Sequence, residues 1–421
     1  MVFEQKLDNS LLLRTVRDEN DIQAYADFNT AFNNPHEGVN SNLLLRYFPG
    51  SCFEDYQLIE DEQSGQIVAT TCLIPWEIHF EGVTLRAAQL EQVLSHPDYR
   101  HHGLVKTQIK RFMQVVRERR CDLSFIWGIP YYYRQYGYSY CMDGNVFEIL
   151  PVGRIPEAPA GADHAYRLRP AGPADVLTLT KLYRQTMQSV PLHMLRKAEH
   201  WHYLLERAGF PVQIIEENRS GRAVGYIGCK PLSNNAGFHI FESGGNDPLA
   251  AMAALQALKV QSEGEVRVSW PRSGALARVA RSLGSSPNLT GQWLFHITDP
   301  TGFLTRIGPV LERRLASAGC ANLSQEILIN LFRQAYRLNF EAGKLAKVEA
   351  VGFVDSSMGA DGGDLCIPPD AFVRLVLGYR GLDELLDAWP DIVIKPRSRH
   401  LLDVLFPKFE AYLYATYEDF G

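Results

Sequence analysis

The chain has 421 residues, 46% hydrophobic and 21% charged, with no low-complexity stretch, and this length predicts two or three domains rather than one core. Lys and Arg number 42 against 48 Asp and Glu, a net charge of −6, which excludes nucleic-acid binding over the whole surface. Seven scattered cysteines form no Cys-x-x-Cys pair, the opening MVFEQKLDNS is no signal peptide, and nowhere do 18 apolar residues run together, so the expectation is a cytoplasmic protein with free thiols, no metal and no membrane segment.

Residues 11–32, LLLRTVRDENDIQAYADFNTAF, predict a short strand, a polar turn and a helix capped by Asp18 or Asn20. QIVATTCLIPWEIHF (66–80) alternates apolar and polar residues and predicts a strand, and EGVTLRAAQLEQVLSH (81–96) a turn and another strand. After the turn Arg100-His101-His102-Gly103, the residues Leu104, Val105, Ile109, Phe112, Met113 and Val116 share one helical face, with Lys106, Lys110, Arg111 and Arg117 largely opposite. DLSFIWGI (122–129) reads as a buried strand, and YYYRQYGYSY as a short helix passing into a strand.

Residues 166–187, YRLRPAGPADVLTLTKLYRQTM, repeat the opening plan, with Arg169 in the place of Arg14 and Asp175 in that of Asp21. Two segments of similar length that open alike point to two copies of one fold. The Pro-, Ala- and Gly-rich PVGRIPEAPAGADHA (151–165) between them reads as a linker. The second copy predicts strands at 212–217, 222–230 and 238–243 and a helix at 248–261. From about residue 301 the pattern changes to mixed strands and helices, with two helices in 368–388 separated at Gly378 and Gly381.

The turn at Arg100 to Leu104 lies between a strand and a helix N-terminus, where successive N–H groups lack intrahelical partners and the helix dipole is positive. Such a place suits a pyrophosphate, and Gly103 permits close backbone approach. In the second copy the corresponding SGGNDPLAAM (243–252) has glycines but no basic helix, so one cofactor site per chain is expected. Phe32, His36, Glu37 and Trp127 are candidates for an acceptor site, aromatic walls with an acid suiting a cationic amine. Phe28 and Trp76 read as core.

VLSHPDYRHHGL resembles the acetyl-CoA motif of the GNAT acetyltransferases, with Val105 where that motif has Gly or Ala. Together with Tyr133-Arg134-Gln135-Tyr136-Gly137-Tyr138 it is similar to the Eis-like (enhanced intracellular survival protein) branch of that family. The resemblance implies α/β and α+β architecture: two tandem GNAT folds, at 1–155 and 156–300, then a sterol-carrier-protein-like α+β domain at 301–421. It implies an acetyl-CoA-dependent N-acetyltransferase acting on an aminoglycoside-like or lysine-type amine by direct transfer in a ternary complex, and assembly into a homo-hexamer. The alternative is a lipid- or CoA-binding protein without catalysis. By the same resemblance Val93, Leu94 and Ser95 contribute backbone groups for the pantetheine arm, and Arg100, His101, His102, Gly103 and Leu104 hold the pyrophosphate. Tyr133 is then the general acid that reprotonates the CoA thiolate. The resemblance implies the C-terminal carboxylate as the base. That family ends on a phenylalanine, whereas here Phe420 is followed by Gly421, so Gly421, Asp419 or Glu418 of the tail and Glu91 on the strand are the candidates.

Overall fold

A computed structural model describes residues 3–7, 10–144, 146–158, 165–269, 271–356 and 362–418. The chain opens with β1 (Glu4–Lys6), β2 (Leu11–Thr15), α1 (Glu19–Phe32), α2 (Pro35–Tyr47), β3 (Tyr56–Asp61), β4 (Gln66–Phe80), β5 (Val83–Ser95), α3 (Leu104–Glu118), β6 (Leu123–Ile126), β7 (Ser139–Asp143) and β8 (Val146–Pro151). It continues with β9 (Tyr166–Pro170), α4 (Val176–Met187), β10 (Leu192–Met194), α5 (Ala198–Glu206), β11 (Val212–Glu217), β12 (Ala223–Pro231), β13 (Gly237–Gly244), α6 (Pro248–Lys259), β14 (Glu265–Ser269), α7 (Ala275–Ser282), β15 (Ser286–Leu289) and β16 (Gln292–Ile297). The last part holds α8 (Pro300–Arg306), α9 (Gly308–Ser317), β17 (Gln325–Asn330), β18 (Ala335–Glu341), β19 (Lys344–Gly352), β20 (Leu365–Cys366), α10 (Pro369–Val376), α11 (Leu382–Ala388), β21 (Val393–Ile394), α12 (Arg399–Leu405) and β22 (Ala411–Tyr412).

Among the described residues these strands form three sheets, ordered β1-β2-β3-β4-β5-β6-β16-β7, β15-β8-β14-β13-β12-β11-β9 and β19-β18-β17-β20-β21. The first two exchange strands. β8 leaves the first unit to pair with β14 and β15 of the second, and β16 returns to lie between β6 and β7 of the first. The boundaries drawn from the sequence at 155 and 300 cut across this exchange, because a linker-like composition at 151–165 does not reveal which sheet the strand before it joins.

The two openings that look alike in sequence share one ion-pair design. Arg14 on β2 makes a bidentate pair with Asp21 of α1 at 2.6 and 2.8 Å and reaches Glu60 on β3 at 2.7 Å. Arg169 on β9 pairs with Asp175 at 2.8 and 2.7 Å and reaches Glu216 on β11 at 2.5 Å. In each case one guanidinium joins its own strand, the start of the helix that follows and the strand paired beside it. The Arg14 side chain is 6% exposed and that of Arg169 34%. Arg14→Met, which leaves two carboxylates facing a buried gap, is therefore expected to cost about 3 kcal/mol. Arg169→Met should cost nearer 1 kcal/mol, since water screens that pair. Urea midpoints should fall in that order; equal losses would contradict the role of burial.

Asp18, not Asn20, caps α1, accepting from the N–H groups of Asn20 and Asp21. α3 has the expected amphipathic pattern: Ile109, Phe112, Met113 and Val116 are buried against the sheet, each such side chain contributing about 1.5–3 kcal/mol. In the third unit the segment 323–340 is entirely extended where ordered into elements, β17 pairing antiparallel with β18. α10 and α11 do break at Gly378, whose φ of +67° ends the first of them.

One apolar cluster runs through all three units, from Tyr25, Ile74 and Trp76 through Leu179, Trp201 and Phe210 to Leu311, Phe340 and Leu375. The end of the chain is part of it. β22 pairs parallel with β10, which itself extends β4 of the first sheet. Thr416 then accepts from Arg196 at 2.6 Å and the Tyr417 carbonyl from the Tyr203 hydroxyl at 2.5 Å. Arg196 is buried and held bidentate by Glu242 at 2.6 and 2.7 Å, so the tail is clasped by a fixed ion pair of the second unit.

Candidate active site

β5 is the strand that builds the site. It pairs parallel with β6 only at Ala87–Leu123, Ala88–Ser124 and Gln89–Phe125. β6 stops at Ile126, ahead of Gly128 and Pro130, while β5 runs on to Ser95. The two strands therefore part after Gln89, and one edge of β5 over residues 90–95 has no strand neighbour among the described residues. On its other edge β5 still pairs with β4, but with a bulge: Glu91 lies opposite Cys72 and Leu94 opposite Thr70. Gln92 sits at the bulge with φ +52°. It is held by a hydrogen bond from its amide to Ser41 Oγ at 2.8 Å, while its carbonyl accepts from Thr70 at 3.2 Å. Val93, Leu94 and Ser95 line the parted edge, half-buried.

At the end of β5 the chain turns into α3. Gly103 takes the N-cap position at φ +75° with no side chain capping the helix, and a Cβ added there would meet nothing within 4 Å. Arg100, His101 and His102 are exposed around it and Leu104 is buried beneath. The open N–H groups, the absence of an obstructing side chain and the basic residues fit a pyrophosphate such as that of coenzyme A, and the β5 edge beside them is open. Gly103→Val would add strain at positive φ and bulk at the phosphates. It is expected to raise the KM for acetyl-CoA about tenfold with little change in kcat; an unchanged KM would remove the turn from the binding site.

The equivalent helix of the second unit is closed. Asp247 caps α6 with its own carboxylate, accepting from Leu249 N–H at 2.8 Å and from the Tyr166 hydroxyl at 2.9 Å. A phosphate there would meet a fixed negative charge. The glycines of this segment serve packing instead: a Cβ at Gly244 would lie 2.1 Å from the Tyr226 ring, and one at Gly245 2.6 Å from the Val224 carbonyl oxygen.

The tyrosine-rich segment follows the end of β6. Tyr132–Tyr136 form a short 3-10 helix entered through Tyr131 at φ +70°. Most of the rings have structural partners: Tyr138 bonds Ser124 at 2.7 Å, Tyr140 accepts from Tyr131 N–H at 2.6 Å, and Tyr132 meets Tyr136 at 3.3 Å. Tyr133 differs. Its ring covers Gly128 so closely that a Cβ there would lie 2.3 Å away, and its hydroxyl bonds no described residue. Burial, and next the Glu91 charge, raise this hydroxyl above the ordinary tyrosine range, so it keeps its proton.

Glu91 belongs to the opposite face of the sheet. Tyr133 packs with Leu73, Ala88, Leu90 and the α3 side chains, whereas Cys72, Ile74, Trp76 and Ala87 face the other layer, and the register puts Gln89 and Glu91 with them. The Glu91 carboxyl accepts from the Gln89 amide at 2.8 Å, and Gln89 accepts from the Trp76 indole at 2.7 Å. Burial first, opposed by the Gln89 hydrogen bond and reinforced by Glu37 and Glu418, pushes the Glu91 pKa up to about 8. Tyr133 and Glu91 thus approach the parted strands from the two faces.

The remaining residues singled out in the sequence fall in different places. Glu37, near the start of α2, shares its electrostatic surroundings with Glu91 and with Glu418 of the tail. His36 is exposed and its charge is felt at Glu418. Phe32 packs between Phe28, tilted against it at 4.9 Å, and His96, edge-on at 4.5 Å, and so lies toward the phosphate turn. Trp127 packs edge-on against Trp293 of β16 at 5.3 Å. Phe28 and Trp76 are core, as read, but Trp76 also takes part in the Glu91 hydrogen-bond chain. Gly421, with Asp419 and Phe420, lies outside the described residues; the buried Tyr417 brings the tail beside Glu91. Gln89 was missed in the sequence, although its place two residues from Glu91 on one strand put both on one face. Glu418 acts on Glu91 from the far end of the chain, and no local signal in the sequence marks it as reaching residue 91.

Residues 13–141 match the family model described as an acetyltransferase (GNAT) domain. This first unit is a GNAT acetyltransferase domain. GNAT domains use acetyl-CoA as co-substrate, so the chain is an acetyltransferase. No curated protein sequence matches the chain. Among solved structures it is similar to a probable N-acyltransferase from Enterococcus faecalis V583, 15% identical over 98% of this chain and 100% of that one, with a TM-score of 0.72. A GCN5-related N-acetyltransferase from Anabaena variabilis is 14% identical over 96% and 99%, at 0.71, and Eis1 from Mycobacterium abscessus is 12% identical over 96% and 98%, at 0.63. At such identities the likeness is one of fold, and it extends over nearly the whole chain, beyond the GNAT domain itself. Among the described residues no helix is long and apolar enough to cross a membrane, and no group of three or more His, Cys, Asp or Glu is disposed to hold a metal ion.

Proposed function

We propose that the chain is an acetyl-CoA-dependent N-acetyltransferase of the Eis-like kind that acetylates an amine acceptor by direct transfer in a ternary complex. The second unit is then a GNAT-like fold that binds no cofactor, the third is sterol-carrier-like, and the assembly is a homo-hexamer. The parting of β5 and β6, with Tyr133 on one side and Glu91 on the other, carries this reading.

The chain's residues divide the work. The β5 edge at Val93 to Ser95 and the turn at Arg100 to Leu104 orient the thioester. Glu37, Glu91 and Glu418 together favour a cationic acceptor, aminoglycoside-like or a lysine-type amine. Glu91 takes the proton that an ammonium must lose before it attacks, and the new C–N bond forms as the C–S bond breaks. Tyr133 gives a proton to the departing thiolate and is restored by the second proton, which the nitrogen sheds once it is acetylated. A base with a pKa near 8 is well matched to an amine at neutral to mildly basic pH. The C-terminal carboxylate of Gly421 is the competing base, supported by the path of the tail past Tyr203 and Arg196.

A panel of amines incubated with acetyl-CoA and read by release of free thiol tests the reading. Thiol release with aminoglycosides or lysine-type amines is expected. Tight acetyl-CoA binding with no release across the panel would leave a CoA-binding protein, and no binding at all would defeat the cofactor assignment.

A further inference from the structure

The chain that ends on Glu91 does not start in the first unit. Gln89 is fully buried, and the direction of its amide is fixed by its neighbours. An indole N–H is a donor only, so the oxygen of Gln89 faces Trp76 and its NH₂ faces Glu91. Glu91 is thereby given a donor, which favours its charged form. The position of Trp76 is fixed in turn by His200 of α5, in the second unit. The two rings stack at 5.5 Å and 8°, and Phe48 closes edge-on against both at 5.1 and 5.3 Å. Both ring nitrogens of His200 are buried without a hydrogen-bond partner among the described residues. Burial lowers its pKa to about 4, so it is a neutral flat ring at working pH. Its service here is shape.

We propose that the second unit, whose own helix N-terminus is blocked by Asp247, serves the first unit's chemistry by holding the base in position, His200 clamping Trp76, Trp76 fixing Gln89 and Gln89 orienting the Glu91 carboxylate. Gln89, Trp76 and His200 are positioning residues in this scheme. The groups that face Glu91 from the other elements are Glu37 of α2, Glu418 and Tyr417 of the tail, Cys72 of β4 and Tyr133. The acids among them oppose ionisation of Glu91, and the Gln89 amide counters them first, with the Gln92 backbone N–H adding to it. The inference rests on Glu91 being the base.

The test is the acidic limb of the pH profile of kcat/KM for the amine, followed with saturating acetyl-CoA. Gln89→Leu keeps the volume but removes the donor. Its limb should move up by about one pH unit, lowering the rate at pH 7 about tenfold, with the KM for acetyl-CoA unchanged. Trp76→Phe keeps the stack on His200 but frees the amide, and should move the limb the same way by less. It also keeps the test alive if Gln89→Leu does not fold. His200→Phe preserves a flat ring and should keep the wild-type limb, while His200→Ala should move it as Trp76→Phe does. A limb that stays at the wild-type pH in both Gln89→Leu and Trp76→Phe, whatever the rates, overturns the clamp, since a purely structural loss lowers rate without moving the limb. A limb abolished by Glu91→Gln but unmoved by Gln89→Leu overturns the clamp alone. A limb that survives Glu91→Gln overturns the base assignment and the clamp with it.

Discussion

Tyr133→Phe should lower kcat by about two to three orders of magnitude while leaving the KM for acetyl-CoA within about twofold, the pattern of a lost general acid. The substitution removes one oxygen and keeps the ring. The ring is what packs, covering Gly128 and meeting Tyr132 and Tyr138, so the fold should be retained. The hydroxyl bonds no described residue, so no structural hydrogen bond is lost. Burial and the nearby Glu91 keep the phenol protonated through the working range. Steady-state kinetics, with calorimetry for acetyl-CoA binding, make the comparison. Wild-type turnover in Tyr133→Phe would defeat the role. Tyr138→Phe, which loses the 2.7 Å bond to Ser124 instead, should cost stability more than rate.

Glu91→Gln is the second large effect. Its carboxyl titrates near pH 8, raised by burial, and only the ionised form takes a proton. Below that pH the wild-type rate should therefore fall about tenfold per unit, and above it level off. Glu91→Gln keeps the hydrogen bonding with Gln89 available and removes the titration. It should flatten this limb and lower kcat by about two to four orders of magnitude near pH 8. Deleting Gly421 separates the two candidate bases: the rate should change little if Glu91 serves. A limb that persists in Glu91→Gln but vanishes on deleting Gly421 would transfer the role to the chain end.

Legibility followed the range of the interactions. The strand, turn and basic amphipathic helix from Gln89 to Arg117 were readable because period-2 and period-3.6 patterns and a positive-φ glycine are local properties. The Arg14–Asp21 and Arg169–Asp175 pairs were readable as a repeat because each is confined to one strand–helix junction. Glu60 and Glu216, which complete them, come from other strands and were not. The exchange of β8 and β16 was hidden for the same reason. A strand's pattern records that one face is buried, not which sheet it joins.

By itself the sequence determined a helix N-terminus able to take a pyrophosphate, a tyrosine at the end of a buried strand, and two similar openings. These depend on residue type and short spacing alone. Only the tertiary structure decided that β5 and β6 part just before Glu91, because that depends on where β6 stops. It alone decided that Tyr133 and Glu91 face the gap from opposite sides, that Asp247 closes the second helix, and that Tyr417 and His200 lie beside elements of the first unit. Burial and the charges of Glu37 on α2 and Glu418 in the tail shift Glu91, and no short window of sequence contains them together.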